Sequence, residues 1–187
     1  MMQIHHAIFK IDKSLPAEYC QQLIDYIDEK AVTKASVLID GKNVVDTKQR
    51  NVFDYGLDKD NPHDVVHSKI LLQKMKEALD KYVQTFNYLR EAAPQSINLL
   101  KYKKGNFYSP HIDAFHTVNR QLSFIFCLNN NYDGGELFFF HPVTKKPYSQ
   151  AHLNVGDLIM FPSNFLYPHQ VSPITKGTRY SVVAWYS

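Results

Sequence analysis

Apolar positions recur at helical spacing in the first half of this chain and alternate at strand spacing in the second. Tyr19, Leu23 and Ile27 repeat every fourth residue, which predicts a helix with one apolar stripe. Ser14 is placed to cap it, Pro16 falls in its first turn, and it runs to about Lys30. A short strand-like stretch, Ile4–Ile11, precedes it. Asp40-Gly41 reads as a turn between short strands at about 35–39 and 44–53. A second helix is predicted from about Pro62 to Phe86, with Leu72, Met75, Leu79, Val83 and Phe86 on one stripe.

From Gln95 onward the period becomes two. Strands are expected over Ile97–Lys103, Tyr108–Ala114, Gln121–Asn129, Glu136–Phe140, Leu153–Phe161, Tyr167–Val171 and Arg179–Tyr186, broken by Gly, Pro and Asn turns. Gln121–Asn129 is apolar on both faces, which predicts a strand buried on both sides. Helices followed by seven short strands fit an α+β chain, a β-sandwich or jelly roll with helices packed outside. No repeat or linker interrupts the 187 residues, so one domain is expected, with helical support over about 1–94 and a jelly-roll core over about 95–187.

Composition narrows the function classes. A formal net charge of +3 is too small to argue for nucleic acid, and Lys101/Lys103/Lys104 and Lys145/Lys146 read as solvated surface. No apolar run is long enough for a membrane span. Met1–His6 lacks the features of a secretory signal. Cys20 and Cys127 fall in a helix and a buried strand and read as core thiols, which points to a reducing, cytoplasmic setting.

The candidate chemistry begins at His111-Ile112-Asp113. Residues two apart on a strand share a face, so His111 and Asp113 can reach one site together. His169, after Pro168, starts another strand that a closed sheet can bring back to them. Two imidazoles and one carboxylate leave metal positions open, a donor set suited to Fe(II) rather than to a closed structural zinc site. If Gln170–Thr178 turns as a hairpin near Ile174, Arg179 falls opposite His169 with Cβ atoms about 5 Å apart. Arg179 shares its strand face with Ser181, Val183 and Trp185. An arginine there needs an anion, such as the far carboxylate of a small diacid. His63 and His67 have the spacing of a zinc half-site, but nothing completes it. His116 and His141 are given no role.

Tyr102 and Tyr108 before His111-x-Asp113, then Arg120–Asn129, Gly134-Gly135-Glu136-Leu137, Gly156-Asp157, Pro168-His169 and Thr178-Arg179-Tyr180 with Trp185 together resemble the prolyl 4-hydroxylase-like branch of the Fe(II)/2-oxoglutarate-dependent dioxygenases. The resemblance spans about residues 95–187. It implies a cupin-like double-stranded β-helix with Fe(II), 2-oxoglutarate and O2, and ascorbate as a supplement. It implies iron ligands at His111, Asp113 and His169, and binding of the far carboxylate of 2-oxoglutarate by Arg179 and Tyr102. Trp185 would wall that pocket and Tyr108 would line the substrate groove. Cys127 departs from the pattern, since some members place a second cosubstrate-binding tyrosine there. The implied reaction is hydroxylation of an unactivated C–H bond, first of a prolyl residue in a peptide or protein. A free amino acid or other small molecule remains open as substrate, as does a non-catalytic module that binds 2-oxoglutarate or metal. A zinc hydrolase comes last, for want of a general base.

Overall fold

A computed structural model describes residues 4–39, 41–86, 93–114 and 119–187. Two antiparallel sheets lie face to face, and two helices cover the outer face of the larger. The larger sheet runs Phe9–Ile11, Leu158–Pro162, Leu122–Cys127, Arg179–Tyr186, Pro94–Tyr102, Phe53–Gly56 and Thr33–Lys34 in spatial order. The smaller runs Pro147–Ala151, Leu137–Phe140, His169–Val171, Phe107–His111 and Arg50–Asn51. This is a jelly roll with helical support, as the alternation pattern predicts.

Period-two alternation assigns the two faces of each central strand. Along Arg179–Tyr186, Tyr180, Val182, Ala184 and Tyr186 join the cluster beneath the helices, with Phe124 and Phe126 of the neighbouring strand. Arg179, Ser181, Val183 and Trp185 face inward, toward the smaller sheet. Leu122–Cys127 is buried at every position, as a strand covered on both sides must be. A second cluster, including Leu100, Ile125, Leu137, Phe139 and Phe161, fills the space between the sheets.

The first helix, α1 (Ala17–Asp28), starts later than expected. Pro16, not Ser14, occupies the N-cap; no side chain caps it, and its carbonyl accepts from the Tyr19 and Cys20 amides. A proline disfavours helical geometry in the residue before it, which excludes Leu15 and moves the start past Pro16. Ile4–Ala7 is a 3-10 turn and only Phe9–Ile11 is strand. The second helix, α2 (Pro62–Thr85), opens on Asn61, whose side chain accepts from the His63 and Asp64 amides. Its buried stripe is Leu71, Met75, Ala78 and Tyr82, one residue round from the predicted one; Leu72 and Leu79 flank it. Asp64 is buried and accepts from the Tyr26 and Tyr55 hydroxyls and the Asp58 amide, which ties α2 to α1 and to the larger sheet. His67 packs at a tilt against the Tyr26 ring and bonds to the Tyr19 hydroxyl, so it is a packing residue rather than part of a zinc pair.

Other expectations change as well. Val37–Ile39 pairs with Lys42–Val44 through Gly41, whose φ is +76°; Asp40 lies outside the described residues. Pro147–Ala151 is a further edge strand against Leu137–Phe140, additional to the seven expected. Most consequential, Gln170–Thr178 is not a hairpin. His169–Val171 belongs to the smaller sheet, and Arg179–Tyr186 to the larger. Between them Ile174–Lys176 pairs with Asp133–Gly134 as the chain crosses from one sheet to the other. His169 and Arg179 therefore reach the site from opposing sheets instead of lying side by side on one.

Candidate metal and cosubstrate site

His111 ends the strand Phe107–His111 and His169 begins the strand His169–Val171, and the two residues are direct cross-strand partners. A register shift between this pair and Val171↔Tyr108 adds a residue on the His111 side. Asp113 is not on the strand, contrary to the simple face argument. It lies two residues beyond, where its amide and that of Ala114 donate to the Ser163 carbonyl at 3.2 and 3.0 Å. That anchor turns its carboxylate back to the imidazoles: Oδ1 lies 3.6 Å from His111 Nε2 and Oδ2 lies 3.6 Å from His169 Nε2. The three donor atoms fall within 4.8 Å of one another, the sole such group of His, Cys, Asp and Glu among the described residues.

Backbone contacts orient both rings. His111 Nδ1 lies 2.8 Å from the Ser109 carbonyl and His169 Nδ1 lies 3.1 Å from the Tyr167 carbonyl. A carbonyl can only accept, so each Nδ1 carries the proton and each Nε2 offers its lone pair to the shared centre. Burial, followed by the neighbouring His111, lowers the His169 pKa to about 4, which keeps the ring neutral near pH 7. Burial pushes Asp113 upward, but His169, His111 and the Ser123 hydroxyl outweigh it and hold the carboxyl far below the usual range. Ser123 Oγ donates to Asp113 Oδ2 at 2.6 Å and lies 2.7 Å from Ser163 Oγ. An ionised carboxylate beside a neutral His169 and the facing His111 ring suits a divalent cation.

Across the interior stands Arg179. It is 3% exposed, and no carboxylate among the described residues lies within ion-pair distance of it. Its Nη1 donates to Ser181 Oγ at 2.9 Å, and its guanidinium lies 5.1 Å from the ring centroid of Tyr102, its direct partner in the sheet. A buried guanidinium without a counter-ion is costly, so the site is built for an anion. The inner cavity lined by His111, Asp113, His169, Tyr102, Arg179 and Trp185 has a volume of about 30 Å³, room for water. Behind Arg179 a further cavity of about 280 Å³ opens beside Cys127 and Tyr132. The small Cys127 side chain borders that space, and Tyr132 approaches Arg179 from outside the strand.

Tyr108 stacks on His111, ring centroids 3.4 Å apart and planes 13° from parallel. Trp185 is buried, with the Arg120 guanidinium 3.7 Å from its ring. All seven residues singled out in the sequence therefore line one interior cavity. Three others have no local sequence signal. Ser123 holds Asp113, Arg50 lines the same cavity, and Arg120 lines a neighbouring one. His141 binds the Val143 and Thr144 amides through Nδ1, and His116 lies outside the described residues.

Comparison with known proteins agrees with this geometry. Residues 97–187 match the sequence model of the 2OG-Fe(II) oxygenase superfamily. Over these residues, just under half of the chain, it is similar to that superfamily. A PKHD-type hydroxylase of Idiomarina loihiensis is 29% identical over 122 residues, which cover 63% of this chain and 52% of that protein. The matched stretch thus spans about half the length of this curated relative. In fold, the chain resembles a prolyl-4-hydroxylase from Pseudomonas putida, with a TM-score of 0.71 at 20% identity over 96% of this chain and 91% of the other. It also resembles a Trichoplax adhaerens prolyl hydroxylase in complex with a peptide fragment of the hypoxia inducible factor oxygen degradation domain, with a TM-score of 0.75 at 18% identity over 96% and 83%. The metal and cosubstrate of this superfamily are Fe(II) and 2-oxoglutarate; the three-donor cluster fits the first, and the buried Arg179 guanidinium fits a carboxylate of the second.

Proposed function

We propose that this protein is an Fe(II)- and 2-oxoglutarate-dependent dioxygenase that hydroxylates an unactivated C–H bond, first of all on a prolyl residue of a peptide or protein. The observation that carries this reading is the facing of two half-sites across one interior. A three-donor cluster with open coordination positions stands on the smaller sheet, and an uncompensated guanidinium stands on the larger. His111, Asp113 and His169 would hold the iron. Arg179 would grip the far carboxylate of 2-oxoglutarate, with the Tyr102 hydroxyl beside it and Trp185 as a wall. When bound, Fe(II) with 2-oxoglutarate and O2 supplies the oxidising power that places a hydroxyl on carbon.

The protein's share is positional. The carbonyls of Ser109 and Tyr167 hold the imidazole planes, and Ser123 holds the carboxylate. Entry of the diacid would draw the Arg179 fork from Ser181 Oγ onto a carboxylate, a stronger bidentate partner. The apolar residues around it exclude water. Tyr108, stacked on His111, would steer substrate to the open side of the metal.

Succinate release from 2-oxoglutarate with Fe(II), ascorbate and a panel of proline-rich peptides tests the proposal. Release stimulated by a peptide, with one oxygen gained on proline, is the expected result. Absence of succinate with any substrate, in a protein that still binds metal and 2-oxoglutarate, would indicate a binding module instead.

A further inference from the structure

Outside the metal cluster lies a cavity of about 280 Å³ that shares Arg50, Tyr108, Asp113 and Trp185 with the inner one. Two of its walls are guanidinium groups. Arg50, on the short edge strand Arg50–Asn51, donates Nη1 to the Ser36 carbonyl at 2.7 Å and lies 4.8 Å from the Tyr108 ring centroid. Its Nε is buried without a hydrogen-bond partner. Arg120 stacks on Trp185 and makes only long contacts, 3.4 Å each, to Gln95 Oε1 and the Asp113 carbonyl. Neither forms an ion pair among the described residues.

Two arginines lining one cavity, one with an orphaned buried donor, are unfavourable unless an anion joins them. Among the described residues, the only carboxylate lining this cavity is Asp54, apart from the metal-directed Asp113. Two positive charges against one negative leave a single positive charge, which matches a carboxylate better than a phosphate dianion. The guanidinium plane favours the same two-oxygen group. The volume sits at the low end for ligand pockets, near about 300 Å³, and suits one amino-acid-sized group rather than a long segment. Ser36, Val37, Leu38 and Asn43 of the neighbouring hairpin form its outer wall.

Resting on the proposed oxygenase reading, the geometry points to a substrate that carries a carboxylate next to its target carbon, clamped between Arg50 and Arg120 in this outer cavity. That carboxylate has three sources: a free amino acid, the C-terminal residue of a peptide, or an acidic side chain beside the target residue.

The test uses the full chain, both alone and loaded with Mn(II) and saturating 2-oxoglutarate, and reads binding by saturation-transfer NMR. Probes are matched acids and amides: free amino acids against amino amides, N-acetyl amino acids against N-acetyl amino amides, and N-acetyl-prolyl-aspartate amide against its asparagine counterpart. At least one acid is expected to bind at least about tenfold more tightly than its amide. That preference should vanish in Arg50→Gln and weaken in Arg120→Gln, while Arg50→Lys keeps part of it. The arm that shows it names the source. Equal binding of acids and amides, absence of binding by every probe, or a preference unchanged in Arg50→Gln overturns the inference. Loss of Mn(II)-dependent 2-oxoglutarate binding in the wild-type chain would instead strike the oxygenase reading, and the acid-to-amide comparison on the metal-free chain would still decide this one.

Discussion

His111 and His169 are direct partners on neighbouring antiparallel strands, and a backbone carbonyl holds the Nδ1 of each. Two of three donors are thus fixed by sheet register before any metal arrives, while the third depends on a tether. Asp113 lies beyond its strand and is kept in place by the Ser163 carbonyl and the Ser123 hydroxyl. Asp113→Ala should therefore abolish the rise in melting temperature that Mn(II) gives the wild type, and abolish turnover, while the sheets persist. Ser123→Ala should weaken metal affinity by about 10–100-fold, as loss of a group orienting a ligand does, read by calorimetric titration with Mn(II). Wild-type affinity in Ser123→Ala would mean that the Ser163 anchor alone is sufficient.

Arg179 has a different dependence. It faces the cluster from the other sheet, so removing it should leave metal binding intact. A hydrogen bond to a charged group contributes about 1.5–3 kcal/mol, so Arg179→Ala should raise the KM for 2-oxoglutarate about tenfold or more. Initial rates against cosubstrate concentration measure this. An unchanged KM would displace the diacid from the position assigned to it.

Gly135 bears on that same arginine. Its φ is +69°, and a Cβ there would lie 2.4 Å from Ile174 Cδ1 and 3.0 Å from Arg179 Cδ. The glycine pair is thus more than a turn, since it lets the arginine stem pass against the backbone. Gly135→Ala should cost about 1–2 kcal/mol in left-handed backbone strain and should raise the KM for 2-oxoglutarate by pushing Arg179 out of line. Chemical denaturation and cosubstrate kinetics on one preparation separate the two effects.

How far the sequence reveals this site follows from the range of each signal. Period-two alternation is local, and it correctly sorts Arg179, Ser181, Val183 and Trp185 to the inner face. Sheet membership is not local. Ser172-Pro173 and Lys176-Gly177 look like hairpin punctuation, but the segment between them pairs with Asp133–Gly134 and carries the chain to the other sheet. Pro147–Ala151 escapes because an edge strand half open to solvent needs no apolar alternation. Arg50 escapes because its strand has two residues and the preceding Thr47 and Lys48 are exposed. In α2 the stripe is displaced by one position, since Leu72 and Leu79 flank a centre set by Leu71, Ala78 and Tyr82. Asp113 does meet His111, but through a turn anchored on the Ser163 carbonyl rather than a shared strand face.

Asp64 carries the last prediction, and it concerns stability. It is fully buried at the start of α2 and accepts from two tyrosine hydroxyls and one amide. Burial alone would raise its pKa, but the bonds from Tyr26, Asp58 and Tyr55 prevail and hold it below the ordinary value of 3.8. A group depressed in the folded state stabilises at pH above its unfolded value and loses that contribution as pH falls through the folded one. Asp64→Asn should therefore cost about 2–3 kcal/mol at pH 7, because a charged acceptor of three bonds is replaced by an amide that must turn one donor toward them. The gap between wild type and variant should close as pH drops below about 4. Urea midpoints measured from pH 7 down to pH 3 would show this convergence, and a gap that stays constant or widens on acidification would exclude an ionised Asp64 as the tie between α1 and α2.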